Sequence, residues 1–561
     1  MDEITPDLIA RIASRIYNEA PQADGAPIPG TSGAATPKAA VTGTHAPDFV
    51  LPEPTATPAA MSTHLGSIPL SVGSWPHAAA PAGMSSPSPP AASDVSALPT
   101  FAGAPSAGSS SPAGLQGFVA KIRQTHFSGR SQSVDPSALN LRQRLASGPT
   151  GAQTGSRPLD VPAIREDFPI LRQRVHGKPL AWLDNAATTQ KPQSVIDAIS
   201  HFYEQDNSNI HRAAHTLAAR ATDAYEGARQ KVQTFLGASS VKEIVFVRGT
   251  TEGINLVTQT YGRKFLQPGD EVVLSVLEHH ANIVPWQMVA KEKGAILRVI
   301  PVNDRGEVML EEYQRILGPR TKVVALTQAS NSLGTILPVA EMTQMAKRYG
   351  ARVLIDGAQS VAHIPVNLQQ LGCDFFVFSG HKIFGPTGIG AVYIKEELHD
   401  VLPPWQGGGN MIRNVTFEET TFADVPGRLE AGTPNIADAV GLGAALDYVN
   451  RLGLPNIAAY EHELLQYATD GLSGISGLRL IGTAREKVGV LSFVLPNRRT
   501  EDIGRLLDQE GIAVRAGHHC SQPSLRRFGV ETTVRPSLAF YNTTGEIDRL
   551  VDAVRRIQRL P

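Results

Sequence analysis

The chain has 561 residues, among them 51 glycines, 41 prolines and only two cysteines. Its 51 lysines and arginines almost balance its 52 aspartates and glutamates, and this net charge of −1 excludes a global field for nucleic acid or an anionic membrane. Two cysteines cannot form a disulfide framework or a cysteine-rich metal site, so the composition favours a reducing compartment.

The beginning of the chain gives no targeting signal. Its first residues, MDEITPDL, are acidic where a secretory signal needs a basic region, and no run of about 18 apolar residues follows anywhere. We therefore expect a cytoplasmic protein without a membrane partner.

The N-terminal part of the chain is a proline-rich extension. Residues 21–120 hold 17 of the 41 prolines but only five charged residues, which predicts a disordered linker. Short amphipathic helices are predicted at 5–17 and around 115–122. Such helices on a disordered segment are typical of docking motifs, although they could also fold back onto the rest of the chain.

From about residue 160 the sequence is that of a globular α/β protein. Strand-like runs at 243–247, 271–275, 322–326, 353–355 and 375–378 alternate with helical stretches. This alternation predicts a mostly parallel sheet covered by helices, and such sheets bind ligands at the carboxyl ends of their strands.

The first motif is FVRGTTEGIN at 246–255, in which a strand enters a Gly/Thr turn and then a helix. A helix N-terminus with free N–H groups and adjacent hydroxyls can bind phosphate. Alone the motif is weak because such turns often serve only to cap the helix. It lacks both the P-loop ending and the dinucleotide fingerprint.

Two further strands end in polar residues, Asp356 in DGAQ and Lys382 in FSGHK. A buried Asp needs a cation, and a buried Lys has a lowered pKa that favours nucleophilic use. A pyridinium nitrogen for the Asp and a carbonyl that condenses with the Lys satisfy both. Taken singly, Asp356 could cap a turn and Lys382 could be a solvated loop residue, but the three motifs together favour a cofactor site.

The two cysteines have different surroundings. Cys373, in LGCDFFVF, is predicted to be a buried hydrophobe on a strand. Cys520 stands in RAGHHCSQP, where cationic neighbours can stabilise a thiolate. A metal site is disfavoured because adjacent His-His-Cys residues rarely converge on one ion and no fourth ligand is evident.

From about Ile164 onward the sequence resembles the SufS-type cysteine desulfurases, which are class V aminotransferase-like enzymes of fold type I that depend on pyridoxal 5′-phosphate (PLP). The matching blocks are LDNAATTQKP (183–192), FVRGTTEGIN (246–255), EHHANIVPWQ (278–287), DGAQS (356–360), FSGHK (378–382), GPTGIG (385–390), EAGTPN (430–435) and RAGHHC (515–520). The resemblance implies a large PLP-binding domain at 186–435, and a smaller α+β domain formed by 156–185 and 436–561. Residues 1–155 lie outside it.

The resemblance also implies roles for individual residues. Lys382 would hold PLP covalently, Asp356 would pair with the ring nitrogen, Gln359 would bond the phenolic oxygen, and His279 would stack on the ring. The phosphate would be held by Thr250, Thr251, Ser379 and His381, with Arg212 and Gly407 from the second subunit of a homodimer; the substrate carboxylate would be held by Arg535, assisted by Arg515 and Asn331.

The implied reaction converts L-cysteine to L-alanine and leaves a persulfide on Cys520. A SufE- or SufU-like acceptor protein would then take the sulfur for iron–sulfur cluster assembly. Selenocysteine lyases have the same lysine and cysteine as Lys382 and Cys520, so selenocysteine lyase activity stays open as an alternative. A class V enzyme without a catalytic thiol, such as an aminotransferase or kynureninase, would make Cys520 incidental. A purely structural or cargo role would keep the extension but lose cofactor-binding groups, and none of these groups is missing.

Two features depart from the matched pattern. Gln406 and Asn410 stand where relatives have an acidic residue and a Ser, which puts in doubt an ion pair with Glu252 across the dimer. The extension resembles the cargo-loading domains of cysteine desulfurases packaged in family 2 encapsulin shells, so the chain is predicted to enter such a compartment.

Overall fold

The structure is a computed structural model and describes residues 159–211 and 215–560. The helices predicted at 5–17 and 115–122, the disorder predicted for the extension, and Arg212 lie outside the described residues.

The strands of the described residues are short, and most of them are apolar. They are β1 Arg174–Val175, β2 Lys178–Pro179, β3 Ala181–Trp182, β4 Ile244–Val247, β5 Glu271–Ser275, β6 Ile296–Ile300, β7 Thr321–Thr327, β8 Arg352–Asp356, β9 Phe375–Ser379, β10 Gly390–Ile394, β11 Ile412–Val415, β12 Thr420–Phe422, β13 Arg479–Ile481, β14 Ser492–Val494, β15 Ile512–Ala513, β16 Arg515–Gly517 and β17 Thr533–Arg535.

The helices alternate with these strands. They are α1 Val161–Glu166, α2 Gln193–His201, α3 Thr216–Leu236, α4 Thr250–Val257, α5 Val284–Lys293, α6 Leu310–Ile316, α7 Val339–Lys347, α8 Leu368–Leu371, α9 Ile436–Leu452, α10 Leu454–Ser473, α11 Thr500–Gln509, α12 Gln522–Arg527 and α13 Thr544–Arg559. A π-helical segment, Thr258–Gly262, extends α4 and leads into one helical turn at Arg263–Phe265.

A seven-stranded sheet in the order β4-β10-β9-β8-β7-β5-β6 forms the centre of the larger part. Strands β9, β8, β7, β5 and β6 are parallel to one another, as the helix–strand alternation predicts. Strand β10, which sequence analysis did not identify, runs antiparallel between β9 and β4. The sheet is therefore mixed but mostly parallel.

Alternate residues of each central strand enter different cores on the two faces of this sheet. In β9, Phe376 and Phe378 pack into one core, whereas Phe375 and Val377 pack into the other. The two-residue period of a strand produces this division, and helices cover both faces because both are apolar.

The C-terminal part has a separate core beneath a four-stranded sheet in the order β13-β14-β17-β16. Residues of α10, α11 and α13 contribute to this core. Strand β3 crosses from the N-terminal side and pairs with β15, so that Ala181 and Leu183 are buried in the same core.

Helix α9 packs on the large sheet's side of the molecule. Its Leu442 and Val449 share a core with Ala221 and Val232 of α3. The predicted division of the catalytic part into two domains stays a prediction. Among the described residues, no helix is long and apolar enough to cross a membrane.

Candidate active site

A cavity of about 490 Å³ opens at the carboxyl ends of β7, β8 and β9. Its walls come from the ends of these strands, the beginning of α4, and the segment that follows β16. Its lining includes Thr250, Thr251, His279, Asn331, Asp356, Gln359, Ser379, His381, Lys382, Arg515, Cys520 and Arg535. All the predicted site residues except Arg212 and Gly407 thus surround one space.

The beginning of α4 forms a polar seat beside the end of β9. The Ser379 hydroxyl accepts a hydrogen bond from the backbone N–H of Thr250 at 2.8 Å and lies 2.9 Å from the Thr250 hydroxyl. Gly249 caps the helix without a side chain, and a Cβ there would lie 3.0 Å from the Ser379 oxygen. The seat thus presents hydroxyls at a helix N-terminus, where an anion is favoured.

Lys382 and Asp356 provide the opposite charges of the cavity. Lys382 keeps some accessible surface because the cavity reaches it, yet burial lowers the pKa of its amine to about 8. Asp356 is 4% exposed, and burial raises the pKa of its carboxyl. One Asp356 oxygen accepts the Ala358 N–H at 2.9 Å. A cationic ligand would stabilise this desolvated carboxylate.

Two histidines beside Lys382 are held neutral. Burial and the Lys382 charge lower the pKa of His279 to about 3 and that of His381 to about 4. The Nδ1 atom of His279 accepts the Ala281 N–H at 3.0 Å, which leaves the proton of the neutral ring on Nε2. A neutral, fixed imidazole is suited to packing against a flat ring.

Arg515 and Arg535 lie directly opposite each other on β16 and β17. Asp184 lies between them and accepts hydrogen bonds from Arg515 Nη2 at 3.0 Å and Arg535 Nη2 at 3.3 Å. Burial lowers the pKa of Arg535 to about 10, and its Nε has no hydrogen-bond partner among the described residues. A buried guanidinium with a free donor favours an anionic ligand.

Cys520 lies in a tight turn after β16, with its side chain exposed. His519 and Cys520 both have positive φ angles, 52° and 53°, which non-glycine residues seldom adopt. The Cys520 N–H donates to His518 Nδ1 at 3.0 Å, and the Cys520 carbonyl accepts the His280 N–H at 2.8 Å. These bonds fix the backbone of the thiol-bearing turn.

Asn331 connects this turn to the end of β7. Its amide N–H donates to the His519 carbonyl at 2.7 Å, and its oxygen accepts the Ser521 hydroxyl at 2.8 Å. Its backbone carbonyl accepts Arg535 Nη1 at 2.9 Å. Gln359 donates to the Ala186 carbonyl at 2.6 Å from inside the cavity.

The contacts made by segment 184–191 are not apparent from the sequence, although the segment lies within the block LDNAATTQKP. Thr188 Oγ1, Thr189 N and Thr189 Oγ1 donate to the His381 carbonyl at 3.0, 3.0 and 3.2 Å, and Lys191 Nζ lies 3.4 Å from it. Lys191 also donates to the Thr189 carbonyl. These four donors form a clasp on the peptide that precedes Lys382. The run of mostly polar residues at 184–191, just after the short strand β3, is the one feature of the sequence that could have indicated this clasp and the role of Asp184.

The remaining predicted residues lie elsewhere. Gly407 is exposed and does not line the cavity, and Arg212 is outside the described residues. Cys373 is buried as predicted, but it precedes β9 instead of lying within it. Among residues 159–211 and 215–560, no group of three His, Cys, Asp or Glu side chains could hold a metal ion.

The cavity fits PLP in its chemistry. An amine with a lowered pKa, a buried carboxylate and a neutral imidazole match an aldehyde, a ring nitrogen and a ring face, respectively. The glycine-lined seat at α4 matches a phosphate, because a Cβ at Gly249 would narrow it. The guanidinium of Arg535, which lines the same cavity, matches an anionic group of a ligand.

The fold and this cavity define an enzyme of the aminotransferase type. The family model "Aminotransferase class-V" matches residues 181–550, and the chain belongs to that family. The expected fold class is thereby confirmed for the described part of the chain.

The relatives within the family narrow the class. The chain is 59% identical over 458 residues to a cysteine desulfurase of Synechococcus elongatus, with 80% of this chain and 73% of that protein covered. It is 64% identical over 398 residues to a probable cysteine desulfurase of Mycolicibacterium paratuberculosis, covering 71% of this chain but only 58% of that protein. The solved cysteine desulfurase CsdA from Escherichia coli superimposes with a TM-score of 0.67 at 41% identity, over 71% of this chain and 98% of that one.

Proposed function

We propose that Lys382 and Cys520 act together to remove sulfur from L-cysteine. The chain is a PLP-dependent cysteine desulfurase, in keeping with relatives at 59% and 64% identity. The observation that carries the assignment of roles is that an amine of lowered pKa and an exposed thiol line the same cavity. An aminotransferase would have no use for that thiol.

Lys382 is the residue that would hold PLP covalently, and Asp356 would keep its ring nitrogen protonated. When bound, PLP supplies an electron sink for the carbanion formed at the substrate Cα. His279 would pack against the ring, while Thr250, Thr251, Ser379 and His381 would hold the phosphate. Gln359 has its amide N–H engaged with Ala186, which leaves its oxygen free to accept from the phenolic group.

Arg535 lines the cavity and would bind the substrate carboxylate there, and Asn331 fixes that guanidinium through its backbone carbonyl. As a neutral amine, Lys382 would take the proton from the substrate Cα. Because its pKa is about 8, a substantial fraction of the amine is neutral near physiological pH.

Cys520 attacks the substrate sulfur as a thiolate. A new S–S bond forms while the Cβ–S bond of the substrate breaks, and that electron pair stays on Cβ. Cβ takes up one proton, which balances the proton lost by the substrate thiol, and the carbon skeleton leaves as alanine. The persulfide on Cys520 then gives its outer sulfur to an acceptor thiol, as in thiol–disulfide exchange. The exposure of the turn suits such a transfer to another protein.

The test compares alanine and sulfide formation from L-cysteine with dithiothreitol as the acceptor. We expect C520A to bind PLP with normal absorbance but to lose sulfide release by at least about a thousandfold, as expected for a missing nucleophile. The matched control is C373A, which changes the buried cysteine and should keep the wild-type rate. Unchanged sulfide release by C520A would refute the role of this thiol.

Selenocysteine lyase is not favoured, since the relatives described above carry the name cysteine desulfurase. Activity on selenocysteine with none on cysteine would reverse this preference.

We further propose that the enzyme is a homodimer in which Arg212 and Gly407 reach the partner's phosphate. A second depression, lined by Thr251, Ser379, His381, Trp405 and Gln406, approaches the phosphate seat from outside the cavity. This opening supports entry of a second chain there. Light scattering should give twice the chain mass.

The SufS-type subgroup and encapsulation also belong to the proposal. The match to the Synechococcus protein covers 80% of the chain, whereas residues from 159 onward make up less than three quarters of it, so the match reaches into the extension. A shared extension supports a common purpose for it. We propose that it directs a cytoplasmic enzyme into an encapsulin shell, and that a SufE- or SufU-like protein accepts the sulfur.

A further inference from the structure

Two arginines and the aspartate between them form a part of the cavity that we call the substrate seat: Arg515, Arg535 and Asp184. Arg515 and Arg535 are register partners on neighbouring antiparallel strands, and both line the cavity. Like charges directly opposite each other on a sheet repel, and Arg535 is only 2% exposed, so water screens it poorly. The pair therefore needs an anion inside the protein.

Asp184 is that anion. Its Oδ2 accepts from Arg515 Nε at 3.1 Å and from Arg515 Nη2 at 3.0 Å, while its Oδ1 accepts from Arg535 Nη2 at 3.3 Å. The carboxylate is 7% exposed. Its backbone is fixed by a parallel bridge to Ser537, and the Ser537 N–H donates to the Leu183 carbonyl at 2.7 Å.

The three side chains together carry one net positive charge. Two guanidinium groups and one carboxylate leave +1, and both arginines line the cavity. A ligand with one carboxylate balances this remaining positive charge. Arg515 is half-exposed and donates to Asp184 from both Nε and Nη2, so the Asp184 carboxylate already offsets the charge that Arg515 would offer to a second anionic group on the ligand.

We propose that Asp184 determines specificity by holding this seat at one net positive charge, so that amino acids with a single negative group are preferred over those with two. The inference rests on the proposed function, because it presumes that Arg535 binds the substrate carboxylate. Asp184 acts through the arginines and is therefore a positioning residue.

The isosteric change Asp184→Asn raises the net charge of the seat to +2 and frees Arg515. A second carboxylate on the ligand would then meet an unpaired guanidinium beside Cys520. One additional charge within several ångströms, partly screened, changes affinity by about tenfold. The change should therefore favour L-aspartate over L-alanine.

The experiment measures the dissociation constants of L-alanine and L-aspartate for the PLP-loaded full chain, from the change in cofactor absorbance. In D184N we expect the preference for L-aspartate over L-alanine to rise at least about tenfold. The matched control is E531Q, which removes one carboxylate from the exposed Arg526–Glu531 pair and should leave the preference unchanged.

A double variant separates charge from shape. D184N/R515Q again carries one net positive charge, so its preference should return to within about threefold of the wild type, while R515Q alone should disfavour L-aspartate further. This series also tests the idea if D184N alone fails to load PLP. An unchanged preference in D184N, or no return in the double variant, would overturn the proposal. Failure of the wild type to form alanine from cysteine would instead refute the proposed function.

Discussion

Burial changes the pKa of the Lys382 side chain. The amine lies near two cationic arginines and one carboxylate, and desolvation is the largest influence on its pKa, which falls to about 8. A free lysine is charged at that pH and would neither condense with an aldehyde nor accept a proton.

This lowered pKa predicts how the cofactor-free chain takes up PLP. Only the neutral amine reacts, so the rate of covalent PLP attachment should rise with pH and level off above about 8, not above 10. Stopped-flow absorbance between pH 6.5 and 9.5 would measure it. A rate that still rises tenfold per pH unit at pH 9 would contradict the lowered pKa.

Single residues were predictable where a motif exposes their chemistry. Asp356, Lys382 and Cys520 stand at strand ends or beside charged neighbours, and the structure brings all three to one cavity. Asp184 and Lys191 were missed because their partners, Arg535 and the His381 carbonyl, are distant in sequence. Only the fold shows such pairings.

At the scale of elements, the clasp of residues 188–191 holds the Lys382 peptide against the N-terminal segment. Lys191 has no ion pair among the residues that the structure describes, and its ammonium is directed at backbone carbonyls. Lys191 is partly buried, and this burial lowers its pKa to about 8. Loss of a charged hydrogen bond of this kind costs about 1.5–3 kcal/mol.

We therefore expect K191M to release PLP at least about tenfold faster than the wild type, with K191R intermediate. Dialysis followed by cofactor absorbance would measure the release. The matched control is K487M, since Lys487 is also partly buried, has a pKa lowered to about 8 and donates to the Gly482 carbonyl away from the cavity. Equal PLP retention in K191M and K487M would contradict a specific role for the clasp.

The elements themselves were largely predictable. All five predicted strands occur, displaced by one residue or so at their ends. Strand β10 was missed because it follows β9 too closely for a crossover helix, and it joins the sheet antiparallel instead. The π-helical segment at 258–262 has no sequence signature that a helical period would reveal.

At the scale of the whole molecule, the catalytic part has its own cores and a complete cavity within residues 159–560. Deleting residues 1–150 should therefore leave turnover of L-cysteine within about twofold of the full chain, because no described contact of the cavity is removed. Co-expression with an encapsulin shell should then yield empty shells. Equal capture of the truncated and full chains would contradict a cargo role for the extension.

The fold class followed from the alternation of strands and helices, but two features of the whole molecule did not. The pairing of β3 with β15 joins segments more than 300 residues apart, and α9 packs on the larger core. Such long-range pairing depends on shape complementarity that local periodicity does not encode.

Sulfur transfer to Cys520 can be observed directly by mass spectrometry of the PLP-loaded chain after incubation with L-cysteine in the absence of a reductant. We expect one additional sulfur atom on the peptide that contains Cys520, both in the wild type and in C373A, and none in C520A. Added sulfur on another residue, or alanine formation with no sulfur on Cys520, would show that Cys520 does not carry the sulfur.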